Sequence, residues 1–133
     1  MKSKVILTAD DAKTLATAAE QHARANNWAV VIAVVDDGGH LLHLHRMDGA
    51  APISSTIAPG KARTAALGRR ESASYESVIK GGRTAFLSAP LESMLEGGVP
   101  VVYEGEVIGA VGVSGVKSEQ DAEIAKAGIA ALV

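Results

Sequence analysis

Four histidines, His22, His40, His43 and His45, are the residues of this chain best suited to carry chemistry. An imidazole titrates near neutrality and ligates metals, so its placement decides which reactions are open. His43 and His45 lie two apart in His40-Leu41-Leu42-His43-Leu44-His45. In a strand their rings share one face with Leu41, and His40, Leu42 and Leu44 take the other. Two imidazoles on one face can serve one centre, or they can be the polar side chains of a partly wet sheet face. The segment offers no carboxylate at ligand spacing, which argues against a dedicated three-ligand metal site. His22 falls three residues after Ala19, at the edge of an apolar helical stripe. One imidazole is enough to hold haem iron; the competing reading is a histidine satisfied at a helix interface.

Arg46, Asp48 and Lys61 form a second group. Arg46 offers a planar, bidentate contact to a carboxylate or phosphate, and Lys61 a point charge. Alternatively Arg46 pairs with Asp48, Asp121 or Glu123 and ties a hairpin to the last helix. An acid–base scheme is compatible with these residues: His43 or His45 as catalytic base, with Arg46 holding a substrate carboxylate. The stretch Gly109-Ala110-Val111-Gly112-Val113-Ser114-Gly115 has neither the dinucleotide fingerprint nor a Gly-Lys-Ser/Thr phosphate loop. It reads better as a strand whose glycines admit another backbone, a ligand or a neighbouring subunit, with the Ser114 hydroxyl at its rim. No Gly-x-Ser-x-Gly elbow is present.

The elements that must position these groups follow from periodicity. Thr8 before Asp10-Asp11 opens a helix over about 9–26. Trp28 to Val35 is a β-branched strand, Asp36-Asp37-Gly38-Gly39 a turn, and His40 to His45 the returning arm of a hairpin. Ser54 or Ser55 caps a further helix, which Pro59-Gly60 should kink or divide before Lys61. Glu71 to Lys80 is a short helix, and residues 83–98 are loop with a short helix around Pro90–Leu95. Val99–Tyr103 and Glu106–Ser114 form a second hairpin, and Ser118 caps the last helix. The order helix, hairpin, helices, hairpin, helix predicts an α+β fold with an antiparallel sheet.

Composition bounds the function. The chain has 133 residues, no cysteine, 47% hydrophobic residues and a net charge of -2. It fits one domain, 1–133, excludes disulfides and thiolate metal sites, and lacks the basic footprint of a nucleic-acid partner. The apolar run after the basic start, Val5-Ile6-Leu7, is three residues long, against ~7–15 in an export signal and ~20 in a membrane span. A cytoplasmic, soluble protein without a membrane partner is the expectation. The core must be built from small residues, which favours extra burial by oligomerisation.

Several blocks together resemble the GlcG/HbpS family, which includes the C-terminal haem-binding domain of PduO-type proteins. They are Val34-Val35-Asp36-Asp37-Gly38-Gly39-His40-Leu41-Leu42, Arg46-Met47-Asp48-Gly49-Ala50, Lys61-Ala62-Arg63-Thr64-Ala65, Glu96-Gly97-Gly98-Val99-Pro100, Ile108 to Gly115, Gln120-Asp121 and Ala127-Gly128. The resemblance implies a profilin- or PAS-like antiparallel sheet of about five strands with helices on both faces. It also implies a homo-oligomer, either dimer, tetramer or octamer. It further implies a small-molecule-binding protein with haem as candidate cofactor. His22 is then the axial ligand and the metal-binding residue, and Arg46, Asp48, Lys61 and Ser114 line the ligand. The alternative is a small lyase, isomerase or hydrolase for an organic acid, with His43 and His45 catalytic.

Overall fold

The computed structural model describes residues 1–133. In chain order it contains α1 (Ala9–Ala25), β1 (Val31–Asp36), β2 (Leu41–Arg46), α2 (Ser54–Gly68), α3 (Ser72–Lys80), a 3-10 turn (Thr84–Ser88), β3 (Gly98–Tyr103), β4 (Glu106–Ser114) and α4 (Ser118–Ala130). The sheet has four strands in the order β2-β1-β4-β3, not about five, and every pairing is antiparallel. The two hairpins meet along β1 and β4, which places the most apolar strands at the centre.

Alternation along β1 divides the core in two. Ile32 and Val34 join Leu15, Ala16, Ala19, Ile124 and Ala125, so α1 and α4 cover this face. Val31, Ala33 and Val35 join Ala58, Ala62, Ala65 and Ala66, so α2 covers the other. That second layer contains only valine and alanine, and it closes because α2 sits directly on the strands. A Cβ placed on Gly112 would lie 2.1 Å from the Ala58 carbonyl, and one on Gly98 2.2 Å from that of Lys61. Glycine here answers a backbone-to-backbone approach.

Local chemistry explains most boundaries. The Thr8 hydroxyl accepts from Asp11 N at 3.1 Å, and the Asp11 carboxylate accepts from Thr8 N at 2.9 Å. This closed capping box fixes the start of α1. At α4 the expected cap differs: Lys117 precedes the helix, Gln120 Oε1 accepts from its amide at 3.2 Å, and Ser118 is the first helical residue.

Three further expectations are corrected. Pro59 does not divide α2, which runs unbroken from Ser54 to Gly68. Its missing N–H leaves one helical bond unmade, but burial of Ala58, Ala62, Ala65 and Ala66 against the sheet holds the helix together. The segment around Pro90–Leu95 is irregular, bent chain rather than helix, and the short helix falls earlier, at Thr84–Ser88. Finally, β2 carries a bulge: Val34 faces His43 and Val35 faces Leu41, leaving Leu42 as the extra residue. Leu41 therefore lies with Leu44 on the α2 side, and Leu42 packs into the α1 side.

Candidate functional site

Two periodicities meet where α1 crosses the edge strand. Lys13, Thr17 and Glu20 recur at i, i+4 and i+7 along α1 and share one stripe. His43 and His45 oppose Val34 and Ile32 of β1 and so point to the face α1 covers. Together with Ala16 these five side chains line a cleft of about 220 Å³. Arg24 Nε and Nη2 both reach Glu20 Oε2, at 2.7 and 2.6 Å. The other oxygen, Oε1, stands 3.0 Å from His45 Nε2. The two are not aligned as a hydrogen bond, and this buried nitrogen has no other partner. Glu20 thus sits between His45 inside the cleft and Arg24 outside its lining.

His22 occupies a different place, near the C-terminal end of α1. Its Nε2 is 2.7 Å from Glu123 Oε2 on α4, its side chain is 33% exposed, and its ring centroid lies 6.2 Å from that of Trp28. Trp28 walls a shallow cleft of about 300 Å³ with Arg24, Asn27, Ala29 and Met47. The two histidine sites are separate surfaces of the same helix.

The remaining expected site residues go elsewhere. Arg46 opposes Val31, on the α2 side of the strand, so it leaves the face opposite to that of His43 and His45. It donates to the Ala50 carbonyl at 3.2 Å and pairs with none of Asp48, Asp121 or Glu123. Asp48 is exposed and unpaired. Lys61 is 3% exposed: its ammonium donates to Asp121 Oδ2 and to the Val113 carbonyl, both at 3.0 Å. It therefore has no free face for a ligand. Burial pushes the Asp121 carboxyl above its ordinary value, against the opposing pull of Lys61. Ser114 is buried and donates to Ser54 Oγ at 3.2 Å.

The glycines of β4 accommodate the protein's own chain rather than a ligand. A Cβ on Gly109 would meet Leu7 at 2.4 Å, and one on Gly115, just past the end of the strand, the Ala29 carbonyl at 2.7 Å. No three histidine or acidic side chains converge as a metal site. An apolar cleft of about 690 Å³ opens between α3 and the 3-10 turn, walled by Ile79, Leu87, Leu91, Met94 and Leu95. It contains no histidine. Sequence reasoning missed Lys13, Thr17, Glu20, Trp28 and Glu123. The polar stripe at 13, 17 and 20 was a readable signal, but only the crossing with β2 gives it meaning.

Known proteins share both the sequence and the fold. GlcG of Escherichia coli K12 is 60% identical over 114 residues, covering 86% of this chain and 85% of its own length. The crystal structure of HbpS superposes with a TM-score of 0.90 at 31% identity, covering 100% of this chain and 94% of that one. The crystal structure of a PduOC–haem complex superposes with a TM-score of 0.87 at 32% identity, covering 96% of each chain. The family model described as haem-degrading protein, HbpS-like, matches residues 7–130, from the lead-in to α1 to the end of α4, and the chain belongs to that HbpS-like family.

Proposed function

We propose that this chain binds haem, as a cytoplasmic homo-oligomer, with His22 as the iron ligand. The observation that carries the reading is the His22–Trp28 pair beside the cleft bounded by Met47 and Arg24. A partly exposed imidazole, an apolar wall and a cation at the rim are what a porphyrin with carboxylate arms requires. Glu123 holds one ring nitrogen of His22, the carboxylate backing that metal-ligating imidazoles commonly have. That leaves the other nitrogen for iron. Haem, when bound, supplies a redox-active iron; the chain supplies the ligand, its orientation and the apolar wall. With Lys61 sealed in the interior, the cation at the rim is Arg24, whose guanidinium a propionate would share with Glu20. The solved haem complex of the PduOC relative supports the choice of ligand.

Exposed Leu41, Leu44, Ile53, Leu67 and Leu87 support assembly, because apolar side chains left on a surface favour association. No helix is long and apolar enough to cross a membrane. The organic-acid enzyme reading loses its carboxylate clamp, because Arg46 and the His43/His45 pair leave opposite faces of β2.

Haemin titration of the sized protein, followed at the Soret band, tests the proposal. Saturation at one haem per chain or per dimer is expected, and loss of that saturation in His22→Ala. Parent-like binding by His22→Ala would overturn the ligand assignment, and non-saturating adsorption to the parent would overturn haem itself. A monomer by light scattering would overturn the assembly.

A further inference from the structure

A second site, distinct from that of His22, lies in the cleft between α1 and β2. The balance of its groups decides what it can hold. Lys13 contributes a full positive charge, Thr17 a hydroxyl, and His43 and His45 two imidazoles; the single acid is Glu20. Glu20 is already matched, since Arg24 takes Oε2 with two nitrogens and Oε1 faces His45 Nε2 at 3.0 Å. With the acid neutralised by Arg24, Lys13 leaves an excess of positive charge, and the Thr17 hydroxyl and the two imidazoles add hydrogen-bonding groups around it. The outer edge of the His45 ring, 39% exposed at the side chain, is left to face a ligand.

Size excludes the larger ligand. The cleft, at about 220 Å³, falls below the ~300–1,000 Å³ of pockets for drug-sized molecules. A porphyrin does not fit; an anion of a few heavy atoms does. A cation is disfavoured, because no third acid or imidazole converges to complete a metal site.

We propose that Lys13, Thr17, His43 and His45 form a binding site for a compact oxyanion, either a small carboxylate or inorganic phosphate. The charged groups beside the imidazoles are Lys13 and Glu20 from α1, with Arg24 on the far side of Glu20. Behind the imidazoles, β1 presents only Ile32 and Val34.

Acetate and inorganic phosphate, titrated separately into the haem-free protein, test the site. Imidazole resonances of His43 and His45 are followed by NMR at pH 6. Saturable shifts with at least one anion at pH 6 are expected, about fivefold weaker in Lys13→Gln, as suits one partly solvated charge. Which anion saturates distinguishes carboxylate from phosphate. Lys13 is exposed on α1, so its variant should stay folded; an unchanged circular dichroism spectrum verifies this. His43→Gln is the second variant and is expected to abolish saturation. His22→Ala is expected to bind both anions like the parent, which separates this site from haem binding. No saturable shift with either anion would overturn the proposal. So would equal affinity in the parent, Lys13→Gln and His43→Gln.

Discussion

Lys61 of α2 and Asp121 of α4 meet at 3.0 Å across the end of β4, with side chains 4% and 3% exposed. Lys61 also donates to the Val113 carbonyl, and Asp121 Oδ1 accepts from Val116 N at 3.2 Å. The pair therefore clamps helices from opposite faces of the sheet to one strand end. Removing one partner leaves a buried charge without a counter-charge. Lys61→Met or Asp121→Asn alone should cost about 3–5 kcal/mol, and the combined Lys61→Met/Asp121→Leu variant far less. Urea unfolding of the three variants reads this directly, and additive single costs would contradict it.

The same carboxyl gives a pH signature. Burial raises Asp121 above its ordinary 3.8, so the folded state holds its proton to higher pH than the unfolded chain does. Its contribution is full below 3.8 and is lost as pH rises through the raised value. The stability difference between the parent and Asp121→Asn should shift against the parent over that window. A difference that grew in favour of the parent would contradict the raised carboxyl.

Asp37 behaves oppositely. Lys4 hydrogen-bonds its carboxylate at 3.0 Å and holds the carboxyl below its ordinary 3.8. This contribution is present above 3.8 and is lost as pH falls through the lowered value. The pair is partly solvent-screened, so Asp37→Asn should cost under ~1 kcal/mol and nothing in high salt. Unfolding at low and high ionic strength distinguishes these.

Thr8→Ala should destabilise the protein by about 1 kcal/mol through loss of the α1 cap. Thr8→Ser, which keeps the hydroxyl, should retain most of it. Thermal unfolding of the two variants makes the comparison.

Glu123→Gln tests the backing of His22. Haemin affinity should fall about tenfold as the imidazole loses its carboxylate partner. The fluorescence of Trp28, the one tryptophan in the chain, should report the same titration by quenching. Unaltered affinity would show that Glu123 only joins α1 to α4.

Where contacts are local, the sequence was legible. The Thr8–Asp11 box, the two hairpins and the β-branched β1 are set by neighbours a few residues apart, and each element stands close to its expected range. Period-two alternation correctly put His43 and His45 on one face. It misplaced Leu41, because a bulge is decided by pairing with β1 rather than by β2 itself. The clamp was illegible for a plainer reason: Lys61 and Asp121 are 60 residues apart, and only packing reveals that they share an interior. Pro59 shows tertiary contact overriding propensity, since the alanine face of α2 outweighs one missing bond.

The contact of α2 with the β3–β4 hairpin runs through Gly98 and Gly112, with main chain against main chain. A methyl group added at Gly112 would fall 2.1 Å from the Ala58 carbonyl, so Gly112→Ala should destabilise by at least ~1–3 kcal/mol. Natural variation in most cores proceeds by exchange, one side chain growing as its neighbour shrinks. Here that route is closed, because glycine has nothing left to give up and its neighbour is backbone. The seam can be made neither larger nor smaller by exchanging side chains, so the spacing of α2 from the sheet is set by main chain alone.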